Sequence, residues 1–331
     1  MRGIFMKKLH FLFIIIIALF AVACKSAKTS EQKEGSEPSV KQELSNKLSK
    51  YPDTMLWKIE GYTSKGEPST VYLLGTYHAG DERVSPFPQC VQNAIESADR
   101  FVCELSEQDW KDMPQLVNDI TLQSFLTDLS HTFIDDLTQE EILLISQFLD
   151  QQTLAQLVCF EPWVLNNYLQ QVLIMASGLD TQKAYDVMIM AEIEKRGLSF
   201  EGLDSAKTQL DLIAYGDWDT QLIMLRDTLN DLTNLAASAQ EMTDLYEVYL
   251  AGDEEAFTKA YYKDLEKDVL SNPVYEEYIK KLLDDRNSAW ALKITDYLEQ
   301  GGTTFVFAGC AHFTGSASVF EYMRQNGVLS F

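Results

Sequence analysis

Residues 71–80 read Val71-Tyr-Leu-Leu-Gly-Thr-Tyr-His-Ala-Gly80. The apolar run that opens this stretch is rich in strand-forming residues and ends at Gly75, which is typical of a buried strand. Glycine permits a tight bend at the end of such a strand. The pattern therefore predicts that His78 lies just beyond the carboxyl end of a strand, where α/β folds usually bind their ligands.

The same pattern occurs a second time near the end of the chain, in Thr303-Thr-Phe-Val-Phe-Ala-Gly-Cys-Ala-His-Phe-Thr-Gly315. Gly309 and His312 repeat the spacing of Gly75 and His78, again directly after an apolar run. The chain has only four histidines, and two of them occupy equivalent places in these units. If the two strands are neighbours, both imidazoles face one crevice. For either histidine alone, capping of a loop is the alternative.

The first residues of the chain are typical of an exported protein. Residues 1–23 combine a basic start with an apolar run that is too short for an ordinary membrane span, and they are predicted to be a signal peptide. This segment ends in Ala21-Val-Ala-Cys24, which resembles a bacterial lipobox, so Cys24 is predicted to carry a lipid. A plain signal peptide that is cut after Ala23 is the alternative.

Residues 24–50 are rich in Ser, Lys, Glu and Gln and contain almost no large apolar side chain, so they are predicted to be a flexible tether. The folded domain is predicted over residues 51–331. Together these segments predict a body that is exported from the cytoplasm and held at a bacterial envelope membrane by its lipid.

The charge of the chain excludes some partners. Its formal net charge is −23, and the first 50 residues hold more Lys and Arg than Asp and Glu, so the domain alone is more acidic still. A body this acidic argues against nucleic acid and against contact with an anionic lipid surface. Its charge does not identify a substrate.

The cysteines do not form a recognisable framework. Besides Cys24, they are scattered as Cys90, Cys103, Cys159 and Cys310, without a C-x-x-C pair. One disulfide remains open as an alternative, and the sequence does not identify the pair. Because Cys310 lies inside the second motif, it is either a thiolate ligand or nucleophile, or a small buried residue.

The order of the elements predicts an α/β fold, with a central mixed β-sheet flanked by helices and a large helical insertion. A strand near residues 55–60 leads through a turn into the 71–78 unit and suggests a hairpin, hence the mixed sheet. The core strands are predicted at 71–76, 100–105, 199–203 and 303–308, and the helices at 110–195 and 206–300.

Glu104 lies near the end of the predicted strand at 100–105. With His78 and His312, it makes a set of ligands that suits a catalytic divalent metal, here Mn, Co or Zn. Such an ion lowers the pKa of a bound water and polarises a carbonyl. The alternative for Glu104 is a surface carboxylate at a strand end.

Arg286 and Asn287 lie on the helix just before the closing strand. An arginine and an amide side by side suit the binding of a carboxylate or of a developing oxyanion. An exposed helix, with a salt bridge from Arg286 to Asp284 or Asp285, is the alternative. His131 has no partner motif and is predicted to be structural or solvated.

Several segments in order carry a resemblance: Leu73-Leu-Gly-Thr-Tyr-His78, Ala98-Asp-Arg-Phe-Val-Cys-Glu104, Glu161-Pro-Trp163, Gly178-Leu-Asp180, Gly202-Leu-Asp204 with Gln209, Asp285-Arg-Asn287 and Ala308-Gly-Cys-Ala-His-Phe313. Together they resemble the TraB/PrgY/GumN group, which is related to the Tiki metalloproteases and more distantly to the ChaN and erythromycin-esterase-like folds. The resemblance covers nearly all of residues 55–331.

The resemblance implies a divalent-metal hydrolase site in which His78, His312 and Glu104 hold the ion, with Arg286 and Asn287 beside it as catalytic residues. The leading hypothesis is therefore a metal-dependent hydrolase that acts on a peptide or protein substrate. The alternative is a non-catalytic envelope protein that sequesters a peptide or a small ligand. Neither hypothesis predicts an oligomeric state.

The chain departs from the family pattern at Asp204, where a glutamate is more frequent after Gly-Leu. A shorter side chain at this place weakens the case for a supporting contact, so Asp204 is assigned no catalytic role.

Overall fold

The computed structural model describes residues 46–330. Within them the chain forms a six-stranded mixed sheet with the order β1-β2-β3-β6-β4-β5. The strands are β1 (Lys47–Lys50), β2 (Leu56–Tyr62), β3 (Pro68–Thr76), β4 (Arg100–Cys103), β5 (Glu201–Gly202) and β6 (Gly302–Gly309). The predicted α/β class with a mixed sheet is confirmed.

The α-helices are α1 (Gln89–Ser97), α2 (Glu107–Gln123), α3 (Phe133–Asp136), α4 (Gln139–Phe148), α5 (Gln151–Leu157), α6 (Pro162–Ser177), α7 (Tyr185–Lys195), α8 (Ala206–Ile213), α9 (Trp218–Thr233), α10 (Leu235–Leu250), α11 (Glu254–Ser271), α12 (Val274–Ile279), α13 (Asp285–Gln300) and α14 (Val319–Gln325). Short 3-10 turns cover Glu82–Val84, Thr181–Lys183 and Cys310–Phe313, and a π-helical turn covers Lys280–Asp284. Among the described residues, no helix is long and apolar enough to cross a membrane.

The sheet changes direction at β3. The first three strands are antiparallel neighbours, whereas β3, β6, β4 and β5 run parallel to one another. β6 is last in sequence, yet it lies between β3 and β4. Most side chains of β3 and β6 are buried, as expected for parallel strands that are covered on both faces. The carboxyl ends of β3, β6 and β4 therefore meet at one edge of the sheet.

Two large apolar cores and a smaller third cluster, around Met113 and Leu210, stabilise the fold. The larger one surrounds the sheet and includes Phe305, Trp290 and Tyr246. The second lies within the helical insertion, where Leu225 and Leu165 pack at 0% exposure. The insertion therefore has an apolar interior of its own and is more than a set of surface helices.

The structure corrects two of the predicted boundaries. Lys47–Lys50 belong to β1 and not to the tether; edge strands often carry lysines, so their composition resembles that of a linker. The predicted strand at 199–203 pairs only over Glu201–Gly202. The predicted signal peptide, Cys24 and most of the tether lie outside the described residues.

The described cysteines Cys90, Cys103, Cys159 and Cys310 are all free thiols, so the disulfide left open by the sequence does not form among them.

Candidate functional site

Three strand ends deliver the candidate residues to one place. His78 follows β3 by two residues, Glu104 directly follows β4, and Gly309 ends β6 with His312 in the next turn. A Cβ atom built on Gly309 would lie 3.0 Å from His78 Nε2, 3.3 Å from Glu104 Oε1 and 3.5 Å from His312 Cδ2. The two rings are therefore well within the ~12 Å that one metal and a bridging water span. The two G-x-x-H turns meet, as their repeated spacing predicts.

His78 is the solvent-facing member of this cluster. Its side chain is 63% exposed, and its Nδ1–H donates to the carboxylate of Asp186 on α7 at 2.9 Å. Its Nε2 faces Glu104 Oε1 at 3.6 Å. The surrounding protein alone would lower the pKa of His78, but the carboxylates of Asp186 and Glu104 raise it to about 9. His78 thus presents an oriented, positively charged imidazole at the surface.

His312 has the opposite environment. It is buried, and its Nδ1 lies 2.6 Å from Asn287 Oδ1. The amide nitrogen of Asn287 donates to the carbonyl of Ala317 at 2.7 Å, so Oδ1 must be the atom that faces the ring and His312 Nδ1 must carry the proton. Burial and the charge of Arg286 lower the pKa of His312 to about 3, so the ring is neutral with its lone pair on Nε2.

Glu104 is held from three sides. Its Oε1 accepts the backbone N–H of Gly309 at 2.8 Å, and its Oε2 accepts from Gln209 at 3.1 Å and from Arg286 Nη2 at 2.5 Å. Burial alone would raise the pKa of Glu104, but the positive charges of Arg286 and His78 hold it well below its usual range. Glu104 is a fixed carboxylate within this network.

Arg286 connects the carboxylates beneath the cluster. Its Nε donates to Asp204 Oδ2 at 2.7 Å, and Trp290 Nε1 donates to the other oxygen of Asp204 at 2.8 Å. The Trp290 ring lies 4.8 Å from the guanidinium and 4.2 Å from the centre of the His312 ring. Asp204, to which the sequence assigned no role, thus supports the cluster through both Arg286 and Trp290.

The start of α13 has an irregular geometry. The π-helical turn Lys280–Asp284 directly precedes Arg286 and Asn287, and Arg286 Nη1 donates back to the carbonyl of Leu282 at 3.1 Å. Such turns are frequent at functional sites. From this position, two consecutive side chains reach Glu104 and His312 separately.

Arg286, Asn287 and Cys310 are buried, whereas His131 is exposed. Arg286 is 5% exposed and Asn287 is 0% exposed, so the exposed-helix alternative for this pair is wrong. Both side chains bind protein groups and position Glu104 and His312; the predicted direct contact with an oxyanion is not favoured by this burial. Cys310 is buried against Gly75, and burial raises the pKa of its thiol, so it is the small buried residue of the two alternatives. His131 is exposed and binds Asp136.

Two residues of the site, Asp186 and Trp290, have no signal in the sequence. Asp186 is an acid in the first turn of α7, and Trp290 is one of two aromatic residues on an amphipathic helix. Neither lies in a recognisable motif, since each becomes part of the site only through tertiary packing.

The predicted metal site has the right donor types but not the arrangement. Both imidazoles are anchored through Nδ1 by an oxygen acceptor, as metal-ligating histidines usually are. Glu104, however, already has both oxygens bound by protein donors. Among residues 46–330, no group of three or more His, Cys, Asp or Glu side chains is placed to hold a metal ion. The residues as arranged do not fit a three-ligand site.

Comparison with known proteins identifies the lineage. An uncharacterized protein of Treponema pallidum (strain Nichols) is 28% identical over 327 residues, which cover 96% of this chain and 91% of that protein. No solved structure matches the chain. Residues 55–329 match the TraB/PrgY/gumN family over the sheet, the helical insertion and both G-x-x-H turns. The chain is therefore a member of the TraB/PrgY/gumN family.

Proposed function

We propose that the chain is a hydrolase of the peptidase class and that its site is the cluster around Gly309. One observation carries this proposal: two imidazoles and a carboxylate, delivered by three separate strand ends, approach a single point. Both rings are held in a fixed orientation through Nδ1. A core histidine needs neither this convergence nor a shared orientation, whereas acid–base chemistry on a bound substrate needs both.

In this proposal, the two imidazoles have different tasks. The exposed His78 donates from Nε2 to the carbonyl oxygen of the scissile bond, where negative charge develops. The neutral His312 accepts a hydrogen bond from the attacking water through its Nε2 lone pair. Arg286 and Asn287 act as positioning residues, because they hold Glu104 and His312 in place.

A divalent ion, Mn, Co or Zn, held by His78, His312 and Glu104 remains a prediction from sequence. The described residues do not form a three-ligand group for it, and no step above depends on it. Metal content is therefore measured as part of the test.

Location and partners are also part of the proposal. Cleavage of the signal peptide and lipidation of Cys24 would tether the body to an envelope membrane, where its substrates would be exported peptides or proteins. Cys24→Ser should then move the protein from the membrane to the soluble fraction, with fractionation and immunoblotting as the measurement. Firm membrane attachment of this variant would contradict the lipid anchor.

The second candidate is a binding protein that sequesters a peptide without turnover. One observation favours it: Glu104, Arg286 and Asn287 direct their polar groups towards each other and towards other protein groups, as a purely structural cluster also does.

The test combines metal analysis with turnover of a peptide library by wild type, His78→Ala and His312→Ala. His131→Ala is a matched control, because His131 is 59% exposed and lies 3.0 Å from an aspartate, much as His78 is 63% exposed and lies 2.9 Å from one. Hydrolysis that both site variants lose and the control keeps supports the hydrolase. Peptide capture without turnover supports the binding protein.

A further inference from the structure

Thr76 is a buried residue whose hydroxyl group has no partner. It ends β3, is 1% exposed, and its Oγ1 makes no hydrogen bond within residues 46–330. A buried hydroxyl that is left unpaired destabilises a fold, so such a group usually has a partner. The partner of Thr76 is therefore to be sought outside the described protein groups.

The register of the sheet shows where the hydroxyl lies. Thr76 pairs with Gly309 across the parallel strands β3 and β6, so side chains at both positions point to the same face. Neighbouring strands are about 4.8 Å apart. The side-chain direction at Gly309 is the one that meets His78 Nε2 and Glu104 Oε1. Thr76 therefore flanks the point on which the proposed site converges.

Gly309 places no β6 side chain beside Thr76. His78 Nε2 and Glu104 Oε1 lie 3.0 and 3.3 Å from where a Cβ of residue 309 would be, so these two polar atoms stand on the face of the sheet to which the Thr76 side chain points. A water that bridges Thr76 to these two atoms would have the several polar partners that a buried water needs.

We infer that the Thr76 hydroxyl holds the water that hydrolysis consumes, beside Gly309. This inference rests on the proposed hydrolytic function and assigns it a further residue. The hydroxyl both donates and accepts, so it can fix the orientation of a water that also contacts the imidazoles. No covalent step at Thr76 is involved.

Two substitutions at this position separate the hydroxyl from the shape of the side chain. Thr76→Val keeps the branched shape and removes the hydroxyl, whereas Thr76→Ser keeps the hydroxyl. Ser69→Ala is the matched control, since the Ser69 hydroxyl is also buried and unpartnered on β3 but lies roughly 23 Å away along the strand.

We expect kcat of Thr76→Val to fall by at least ~10-fold with KM unchanged, because an oriented water is lost and substrate contacts are kept. Its Tm should equal or exceed that of wild type, because no protein hydrogen bond is broken. Thr76→Ser and Ser69→Ala should keep kcat within about 3-fold. Unchanged kcat in Thr76→Val, a higher KM alone, or a large loss of Tm would overturn the inference.

If the wild type turns over no peptide, the proposed hydrolase is wrong, and kcat cannot test the role of Thr76. A crystal structure of the wild type then tests it, because it shows whether a water is bound to the Thr76 hydroxyl. A solvent oxygen within about 2.8 Å of Thr76 Oγ1 and beside Gly309 supports the inference. A Thr76 hydroxyl that binds a protein group instead, with no solvent at that point, overturns it.

Discussion

Gly309 is the residue on which the site depends most directly. Its backbone N–H binds Glu104, and the direction of its absent side chain points at His78 and His312. Its φ of −48° is accessible to any residue, so the constraint on this position is space and not backbone conformation.

We therefore expect Gly309→Ala to fold and to lose activity. The added methyl group would press on the His78, Glu104 and His312 side chains at 3.0 to 3.5 Å and leave the backbone in place. Because hydrogen bonds hold these side chains in position, the shift disturbs the site, and a misplacement of about 1 Å costs on the order of 100-fold in kcat. Circular dichroism and Tm check the fold, and peptide turnover checks the site. Full activity in this variant would show that the convergence at Gly309 is not used.

Asp186→Asn tests the orientation and charge of His78. The carboxylate helps raise the pKa of His78 to about 9, so the neutral amide should lower it. In wild type, the charged pair stabilises the fold below pH ~6.5, and this stability is lost as the pH rises through the folded-state pKa. NMR titration of the His78 ring in the presence of a chelator measures the shift, with His131 as the internal control. An unchanged His78 pKa would contradict the pairing.

For individual residues, the sequence predicts the members of the site that lie in a recognisable motif and does not predict the others. His78, His312 and Glu104 are predictable because each follows an apolar strand, and strand ends of one sheet lie together. Asp186 is not predictable, because its role depends on how the start of α7 lies against the turn that follows β3, where the N–H of Tyr185 donates to the carbonyl of Tyr77. The burial of Arg286 and Asn287 is not predictable either, because it depends on how α13 packs against the rest of the protein.

Among the elements, β3 and β6 are the best predicted. Both are apolar runs ended by turn residues, and a strand that is buried on both faces needs such a run. β5 is predicted too long, because only Glu201 and Gly202 pair with β4 before the chain turns away. The two segments lie close there: a Cβ on Gly202 would lie 2.5 Å from the backbone nitrogen of Ser106, which follows β4. β1 escapes prediction because its polar composition reflects an edge position.

A substitution in the core of the helical insertion should lower the stability of the protein without changing the activity of the site. Leu225 on α9 is completely buried in the second core, so Leu225→Ala should cost about 2–5 kcal/mol of unfolding free energy. Among the described residues, none of the side chains that hold His78, Glu104 or His312 belongs to this core, so kcat/KM of the folded protein should be unchanged. Denaturant unfolding and turnover measure the two effects.

Leu122→Ala is the control for this prediction. Leu122 is 62% exposed, so its replacement should change stability by less than about 0.5 kcal/mol. A loss of turnover in Leu225→Ala at temperatures where the protein is folded would show that the insertion and the site are coupled.

For the whole molecule, the reactivity of the cysteine thiols tests how closely the sheet is packed. Burial raises the pKa of the thiols of Cys103 and Cys310 well above the ordinary value, so these thiols should resist maleimide in the folded protein. Cys90 and Cys159 are partly exposed and should react first. Mass spectrometry of a Cys24→Ser protein, before and after unfolding, measures this pattern. Fast labelling of Cys310 would contradict the close packing of the second turn against Gly75.

The central claim is that the two G-x-x-H turns form one hydrolytic site. The most direct measurement is kcat/KM for a cleaved peptide with wild type, His78→Ala, His312→Ala and the double variant. The effects of substituting residues that act as a unit are not additive. Each single substitution should lower kcat/KM by about 1000-fold or more, and the double variant should be no less active than the less active of the two single variants. Two results would contradict a shared site: a loss of kcat/KM in the double variant that equals the product of the two single losses, or full activity in either single variant.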